Sequence, residues 1–255
     1  MGAKRSYAAH RARGVLYVLM AGAVAILSYA VSAQAREVLL LAGGGFAQRS
    51  FSQYTGIIIP LINGKNAFLQ DGPILRFWQK SYGFSYETQL PPTSPAQTRI
   101  NAFGASFSAE LGYQKTLSRG RLAGYLGLTY RKFRLSPKDP GADLDKNPVG
   151  IPLTLDGTWP LFDKVSVASN LSYTVFQKEY WAQMKIAYQP TSSTLSLGPE
   201  VVVQGGSEYR YLRLGAFVSG IKLGNFYLGF NLGLRDDLRE NQQSLYGDFN
   251  LSFFY

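Results

Sequence analysis

The stretch that decides the fold is the end of the chain, Phe249-Asn250-Leu251-Ser252-Phe253-Phe254-Tyr255. Successive side chains of an extended strand point to opposite faces, so Phe249, Leu251, Phe253 and Tyr255 share one face and the three residues between them share the other. Barrels of the bacterial outer membrane close on such a strand, with apolar side chains toward lipid and aromatic residues at the interface. The stretch therefore predicts the closing strand of a membrane β-barrel.

The beginning of the chain has the pattern of a secretory signal peptide. Four basic residues precede a largely apolar run from Gly14 to Val31, and Ala33-Gln34-Ala35 is a small-residue cleavage site. The alternative is an uncleaved membrane anchor, because the apolar run approaches the length of a spanning helix. The cleavage site favours a signal peptide at residues 1–35, removed after Ala35, and a mature domain at residues 36–255.

The composition excludes several kinds of chemistry. The chain has no cysteine, and its single histidine, His10, lies in the predicted leader. The mature domain therefore has no disulfide, no thiolate and no imidazole, and we expect no cofactor and no metal site. The formal net charge of +10 falls to +6 without the four basic leader residues. This moderate excess favours contact with outer-membrane lipid and lipopolysaccharide, and no basic cluster of the kind that binds nucleic acid is present.

Alternating segments of strand length recur along the mature domain. The clearest runs from Phe103 to Gln114, and similar segments begin near Val165, Tyr180 and Phe226. We count twelve segments, an even number as single-chain bacterial barrels require. The predicted fold is all-β, a single transmembrane up-and-down antiparallel β-barrel of about twelve strands, located in a Gram-negative outer membrane. A soluble β-sandwich is the alternative, but its strands seldom carry so many aromatic residues on both faces.

The predicted connections are short on one side of the barrel and long on the other. Short turns fall at Pro160–Asp163 and Ile221–Gly224, and long polar loops fall at Leu90–Thr98 and Leu135–Val149. This asymmetry is typical of periplasmic turns and extracellular loops. The segment Asn63–Gly72 is long for a periplasmic turn, so a barrel of ten or fourteen strands stays open.

Two patterns bear on possible chemistry. Gly43-Gly44-Gly45 lacks the lysine, hydroxyl residue and helix of a phosphate loop, and glycine in a strand predicts a bend or bulge. Glu110, Asp156 and Glu200 offer paired carboxylates for glycoside hydrolysis, but nothing in their spacing marks two of them as partners. We therefore expect that the protein is not an enzyme.

The polar face of the strands is predicted to line the lumen. One interpretation is that its charges pair across the interior, since an unpaired charge in a narrow barrel is costly. The other is a groove or passage for a hydroxyl-rich ligand, with aromatic faces under sugar rings and charged groups on hydroxyls. Trp159 shares a face with outward aliphatic residues and is a predicted interfacial anchor. The predicted inward residues are Arg76, Trp78, Glu110, Arg131, Thr154, Asp156, Trp181, Lys185, Glu200, Gln204, Arg213, Arg235 and Asp248.

Seven of the inward residues are candidates for contact with a polysaccharide. Each has a structural alternative, because the tryptophans can simply fill the lumen and the charges can pair with one another. The phase of the strand near Trp181 is sensitive, since one bulge would turn this residue toward lipid. The candidates are Trp78, Trp181, Glu110, Glu200, Arg76, Arg213 and Arg235.

Several segments, taken in their order and spacing, resemble one protein family. They are Gly43–Phe46, Tyr54–Gly56, Asp71–Arg76, Leu135–Pro140, Leu197–Glu200 and Tyr209–Gly215. With these segments the chain resembles the cellulose biosynthesis protein BcsS family, accessory outer-membrane proteins of alphaproteobacterial cellulose operons. The resemblance implies a role in the export or anchoring of bacterial cellulose, with glucan and other cellulose-secretion components as partners. It brings no catalytic residues.

Three functions follow from these observations as hypotheses. The first, which the resemblance implies, is a non-enzymatic accessory of cellulose or exopolysaccharide biosynthesis and export. The second is a passive outer-membrane channel for small sugars or anions, which the inward residues Arg76, Arg213 and Arg235 favour. The third is a structural or adhesin-like barrel.

Overall fold

The chain forms a closed barrel of twelve antiparallel strands. The computed structural model describes residues 37–62, 64, 66–89, 98–142, 144, 147–190, 194–207, 209–239 and 242–255. Each strand pairs with its neighbours in sequence, and β12 pairs with β1 to close the barrel. The strands are β1 Leu39–Ala47, β2 Ser50–Pro60, β3 Gly72–Thr88, β4 Thr98–Leu117, β5 Gly120–Ser136, β6 Val149–Phe162, β7 Val165–Val175, β8 Glu179–Tyr188, β9 Ser196–Gly205, β10 Arg210–Leu223, β11 Phe226–Asp237 and β12 Gln242–Phe254.

The predicted fold class and the count of twelve strands are confirmed. The predicted signal peptide and its cleavage site lie outside the described residues and stay a prediction. Among the described residues, no helix is long and apolar enough to span a membrane.

The two faces of the barrel wall differ in the way a lipid environment requires. Large exposed side chains on the outward face are apolar, including Leu126, Leu171 and Leu232, whereas buried side chains on the inward face include Arg76 and Glu200. This distribution is the reverse of that in a soluble domain. It matches a transmembrane barrel, whose outward band is apolar and whose interior is polar.

The last strand closes the barrel as its alternation predicts. Tyr255 N–H donates to the Val38 carbonyl (3.0 Å), and Val38 N–H donates back to the Tyr255 carbonyl (3.1 Å). Phe249 lies on the outward face and is half exposed. Phe254 lies on the inward face, where its ring meets that of Phe68 edge to face at 5.8 Å. The aromatic residues of the last strand therefore lie on both faces of the barrel wall.

The two ends of the barrel are built differently. The start of β1 and the end of β12 lie at one end, here called the terminus end, together with the two-residue turns Ser118–Arg119, Asp163–Lys164 and Gly224–Asn225. The opposite end, here called the loop end, carries the longer connection Pro137–Pro148. The predicted asymmetry holds only in part. β6 and β10 continue further than the sequence indicates and shorten two turns, but the loop end also has the two-residue turn Gln48–Arg49, and the terminus end has the longer connections 61–71 and 189–195. Most of the predicted loop at Leu90–Thr98 lies outside the described residues.

The long segment between β2 and β3 folds back into the terminus end. Residues 66–71, here called the floor, contain a 3₁₀ turn at Ala67–Leu69. Phe68 is buried against Ile74, Ala123 and Tyr125 on the inner wall. Gln114 Nε2 donates to the carbonyls of Ala67 (2.8 Å) and Gln70 (2.7 Å). The length that left the strand count open therefore belongs to a folded floor and not to an additional strand.

The glycine run of β1 is a regular part of the sheet, and the predicted bulge is absent from it. The registers of β1 with β12 and with β2 continue through Gly43, Gly44 and Gly45 without a shift. An added Cβ at Gly43 would overlap the Tyr54 ring, and one at Gly45 would overlap the Asp248 carboxylate. Glycine is needed here because large side chains from the neighbouring strands lie across the β1 backbone.

Candidate functional site

The terminus-end half of the lumen holds a network centred on Arg76 of β3. Its guanidinium donates from Nε (2.9 Å) and Nη2 (2.6 Å) to Glu110 Oε2, and from Nη1 to Asp156 Oδ2 (3.0 Å). Asn170 donates to the other oxygen of Asp156. The same guanidinium lies 3.7 Å from the centre of the Tyr125 ring. One cation thus joins strands β3, β4, β5 and β6 across the lumen.

A second network surrounds Glu200 of β9. Its side chain is fully buried and pairs with Lys185 Nζ at 3.1 Å. Gln183 and Asn231 each donate an amide hydrogen to Oε2 (2.8 Å each), and the Tyr246 hydroxyl donates to Oε1 (3.1 Å). These donors satisfy the buried carboxylate, so the network holds β8, β9, β11 and β12 together from inside.

Arg213 of β10 connects the Glu200 network to the aromatic side chains of the lumen. It pairs with Asp248 and lies 4.0 Å from the Tyr246 ring centre and 5.9 Å from the Trp181 ring centre. Asp248 in turn lies against the Gly45 backbone. Cation–π contacts of this kind are stronger where water is excluded.

The loop end of the lumen is rich in aromatic residues. Tyr209 and Tyr211 stack at 5.4 Å between ring centres, and Arg235 lies 4.6 Å from the Tyr211 ring centre. The Tyr209 hydroxyl donates to Glu179 (3.2 Å), which also pairs with Arg131. Burial, reinforced by the Glu179 charge, raises the pKa of Tyr209 well above its ordinary value, so this phenol stays a neutral donor at physiological pH.

The structure places all seven polysaccharide-contact candidates on the inward face but distributes them over different parts of it. Arg76 and Glu110 form one ion pair, whereas Glu200 and Arg213 both contact Tyr246. Arg213 and Arg235 are register partners on β10 and β11. No bulge turns Trp181 toward lipid, because the registers of β8 with both of its neighbours run past this residue without a shift.

The two candidate tryptophans do not form one platform. Trp78 on β3 packs over Gly56 and meets the Tyr54 ring edge to face at 5.9 Å. Trp181 lies on β8, on the far wall, opposite Gln204 in the register with β9. A single sugar ring therefore cannot use both. The predicted outward position of Trp159 is consistent with its ring, which lies over the outward residue Gly157.

Sequence reasoning missed several residues that complete these networks. Tyr125, Glu179, Asn231 and Tyr246 each lie an even number of residues from a predicted inward residue on the same strand. The alternation of these strands was the signal that could have found them. These side chains supply the hydrogen bonds and ring faces that a buried charge needs.

The arrangement supports non-covalent contact more than bond-making chemistry. Arg76 lies between Glu110 and Asp156 and binds both carboxylates, whereas a hydrolytic pair needs a substrate between its two acids. Among the described residues, no group of three or more His, Cys, Asp or Glu could hold a metal ion. The paired charges also leave the lumen close to neutral.

A closed twelve-strand wall with an apolar outer surface and an ion-paired lumen defines a transmembrane β-barrel of the outer-membrane type. The family model for the cellulose biosynthesis protein BcsS matches residues 39–254. The match extends from the first residue of β1 to the last residue of β12. The chain belongs to the BcsS family.

Solved structures with a similar backbone are other barrels. The KdgM porin is 14% identical, with a TM-score of 0.48 over 84% of this chain and 98% of that chain. The translocator domain of the autotransporter NalP from Neisseria meningitidis is 12% identical, with a TM-score of 0.48 over 95% and 97%. The Acinetobacter baumannii outer membrane protein Omp33 is 10% identical, with a TM-score of 0.42 over 86% and 98%. No curated protein sequence matches the chain.

Proposed function

We propose that this barrel is a non-enzymatic accessory of cellulose biosynthesis and export in the outer membrane of a Gram-negative bacterium. In this proposal it contacts the glucan at the loop end and does not serve as the main conduit. The observation that carries the proposal is the division of the lumen into two parts. Ion-paired networks around Arg76 and Glu200 occupy its deeper part, and aromatic and cationic side chains gather at the loop end.

The loop-end residues have the chemistry that a β-linked glucan requires. Trp181 and Tyr211 offer ring faces, and Arg235 offers guanidinium donors beside Tyr211. Gln204 is the register partner of both Trp181 and Tyr211, so these three residues lie side by side on β8, β9 and β10. In the proposal, Trp181, Arg213 and Arg235 contact the polymer.

The remaining candidates have structural roles in the proposal. Arg76, Glu110 and Glu200 are almost wholly buried. Arg76 pairs with Glu110, and Glu200 pairs with Lys185, so a sugar hydroxyl would have to displace an ion pair to reach any of them. Trp78 fills the space above Gly56. These ion pairs also support the non-enzymatic assignment, because both carboxylates next to Arg76 are already paired with its guanidinium.

The outer surface supports contact with lipopolysaccharide. On β5, Tyr130 is followed toward the loop end by Lys132 and Arg134, and all three are exposed. An aromatic residue at the interface with cations just beyond it is the arrangement expected where anionic head groups begin. The loop end would then face the cell exterior, where an exported polymer emerges.

Substitution of Trp181 tests the proposed contact. In a cellulose-producing strain, Trp181→Ala should leave heat-modifiable migration of the barrel intact and lower the cellulose retained on cells, measured by Congo red binding. Trp181→Phe keeps a ring face and should retain more cellulose than the alanine variant. Trp159→Ala is the matched control, because it removes an outward tryptophan. Unchanged Congo red binding by a folded Trp181→Ala barrel would contradict the contact.

A passive channel is the second candidate function, and one feature favours it. Lys80 faces the lumen and is exposed, and a cavity of about 370 Å³ is lined by Tyr227, Asn250, Ser252 and Phe254 near the terminus end. Some lumen space is therefore unfilled. Conductance in planar bilayers separates the candidates, since an accessory barrel should be silent and a channel should give steady open current that small sugars or anions reduce.

A further inference from the structure

A polar patch interrupts the apolar outer surface on β2 and β3. The outer patch consists of Gln53, Thr55, Gln79 and Ser81, whose positions alternate with lumen-facing residues such as Trp78. Thr55 is the register partner of Gln79, and Gln53 is the register partner of Ser81. The four residues are therefore contiguous on the outward face of the wall, where Gln53 and Thr55 are exposed, Gln79 is half-buried and Ser81 is buried beside them.

The outer patch lies within the lipid-facing band and not at its edge. Toward the loop end it is followed by Phe51 and Phe103, whose ring centres are 6.3 Å apart on the outer surface. Toward the terminus end it is followed by Ile57 and Phe77, which are register partners. Apolar residues on both sides place these polar groups at the depth of the hydrocarbon core.

Internal hydrogen bonds satisfy only part of the outer patch. The Thr55 hydroxyl donates to Gln79 Oε1 (3.3 Å), and Gln79 Nε2 donates to the Ser81 hydroxyl (2.8 Å). A carboxamide has two N–H donors and two acceptor sites, so capacity remains on Gln79, and exposed Gln53 presents a second carboxamide. Lipid chains offer no partner for these groups, and leaving them unsatisfied in hydrocarbon is costly.

Small residues and aromatic rings border the outer patch. Its register neighbours on β1 are Ala42 and Gly44, and Ser81 faces Ala105 on β4, whereas Gln79 faces Phe107 and the Phe249 ring lies against Gly44. Gln53 and Thr55 are exposed, so they are the groups that a second wall would meet first. The patch contains no charged residue, so it matches neither a phosphate head group nor a charged partner.

We propose that the outer patch is a self-association surface, through which two copies of this chain pair side by side in the membrane. A carboxamide carries both donors and acceptors, so the same patch turned about a twofold axis is complementary to itself. A second copy supplies this chemistry without any further component. The proposal is independent of the cellulose function.

Cysteine cross-linking tests the proposal cleanly because the chain has no native cysteine. The Thr55→Cys variant, purified and reconstituted into vesicles at a high lipid-to-protein ratio, should form a disulfide-linked dimer on mild oxidation. Ser169→Cys is the matched control, since Ser169 is a small outward residue on β7, away from the outer patch. We expect much faster dimer formation for Thr55→Cys than for Ser169→Cys.

A second variant separates hydrogen bonding from chance proximity. Adding Gln53→Leu and Gln79→Leu to Thr55→Cys should slow cross-linking about tenfold, because the lost hydrogen bonds between membrane segments are individually modest but several are removed together. Heat-modifiable migration confirms that the variant is folded. Equal rates for Thr55→Cys and Ser169→Cys, an unchanged rate in the leucine variant, or a dominant adduct to a different protein in whole membranes would each overturn the proposal.

Discussion

Removing the charge of Arg76 should destabilise the barrel strongly, and removing its partner as well should restore much of the loss. The Arg76 and Glu110 side chains are 5% and 4% exposed. Arg76→Met leaves Glu110 and Asp156 in the lumen without their shared cation. Breaking a buried ion pair in this way costs about 3–5 kcal/mol, and replacing both partners is often close to neutral. We therefore expect Arg76→Met to lower the free energy of unfolding by about 3–5 kcal/mol.

The double variant Arg76→Met/Glu110→Gln removes one of the stranded charges. Asp156 is more exposed, at 27%, and keeps its bond from Asn170, so it tolerates the loss better. We expect the double variant to regain about 2 kcal/mol relative to Arg76→Met, a coupling typical of residues in one network. Arg134→Gln, an exposed outward change on β5, is the control and should stay within about 0.5 kcal/mol.

The assay is reversible urea unfolding of the reconstituted barrel in lipid vesicles, followed by tryptophan fluorescence and heat-modifiable migration. Two results would refute the reasoning. One is an Arg76→Met variant within 1 kcal/mol of the unmodified chain, which would mean that lumen water replaces the guanidinium. The other is a double variant whose loss equals the sum of the losses of Arg76→Met and of the single variant Glu110→Gln, which would mean that the pair is not coupled.

Two further predictions concern packing and the floor. Gly56→Ala should lower the free energy of unfolding by about 1–3 kcal/mol in the same assay, because the added Cβ would overlap the Trp78 ring. The control Gly124→Ala should be neutral, because the nearest atom to its added Cβ is 4.0 Å away. Equal stability of the two variants would contradict the close approach of Trp78 to Gly56. Gln114→Ala removes both side-chain hydrogen bonds to the floor, at a cost of about 1–3 kcal/mol. Gln114→Ala should also raise the conductance of the barrel in planar bilayers while the barrel stays folded. Conductance equal to that of the exposed control Gln243→Ala would show that the floor does not limit the passage of ions through the lumen.

Much of the architecture could be predicted because its rule is local. Side chains in a strand alternate between the two faces of the sheet. Because lipid surrounds the barrel and its interior is polar, the apolar set of side chains faces outward and the polar set faces inward. For this reason the inward positions of Trp181, Arg213 and Glu200 and the division of labour between Phe253 and Phe254 were predictable from neighbouring residues alone. The match of the chain to the family over β1–β12 confirms the resemblance seen in its short segments.

The pairing of the lumen charges could not be predicted in the same way. Arg76 on β3 binds Asp156 on β6, and Arg131 on β5 binds Glu179 on β8. These partners are three strands apart, so their contact depends on strand tilt and on the register of every intervening pair. Barrel geometry sets tilt and register jointly for the whole closed wall, and no local segment contains that information. The sequence therefore left open whether the charges pair or bind a ligand.

The sequence by itself determined that this chain makes an alternating, membrane-compatible barrel and which side chains face inward, because alternation is a property of single strands. Only the tertiary structure decided which inward charges neutralise each other, that residues 66–71 fold into a floor, and that Gln53, Thr55, Gln79 and Ser81 meet on the outer wall. Each of these features joins residues from different strands or connections. Their positions exist only once the barrel has closed and every register has been set.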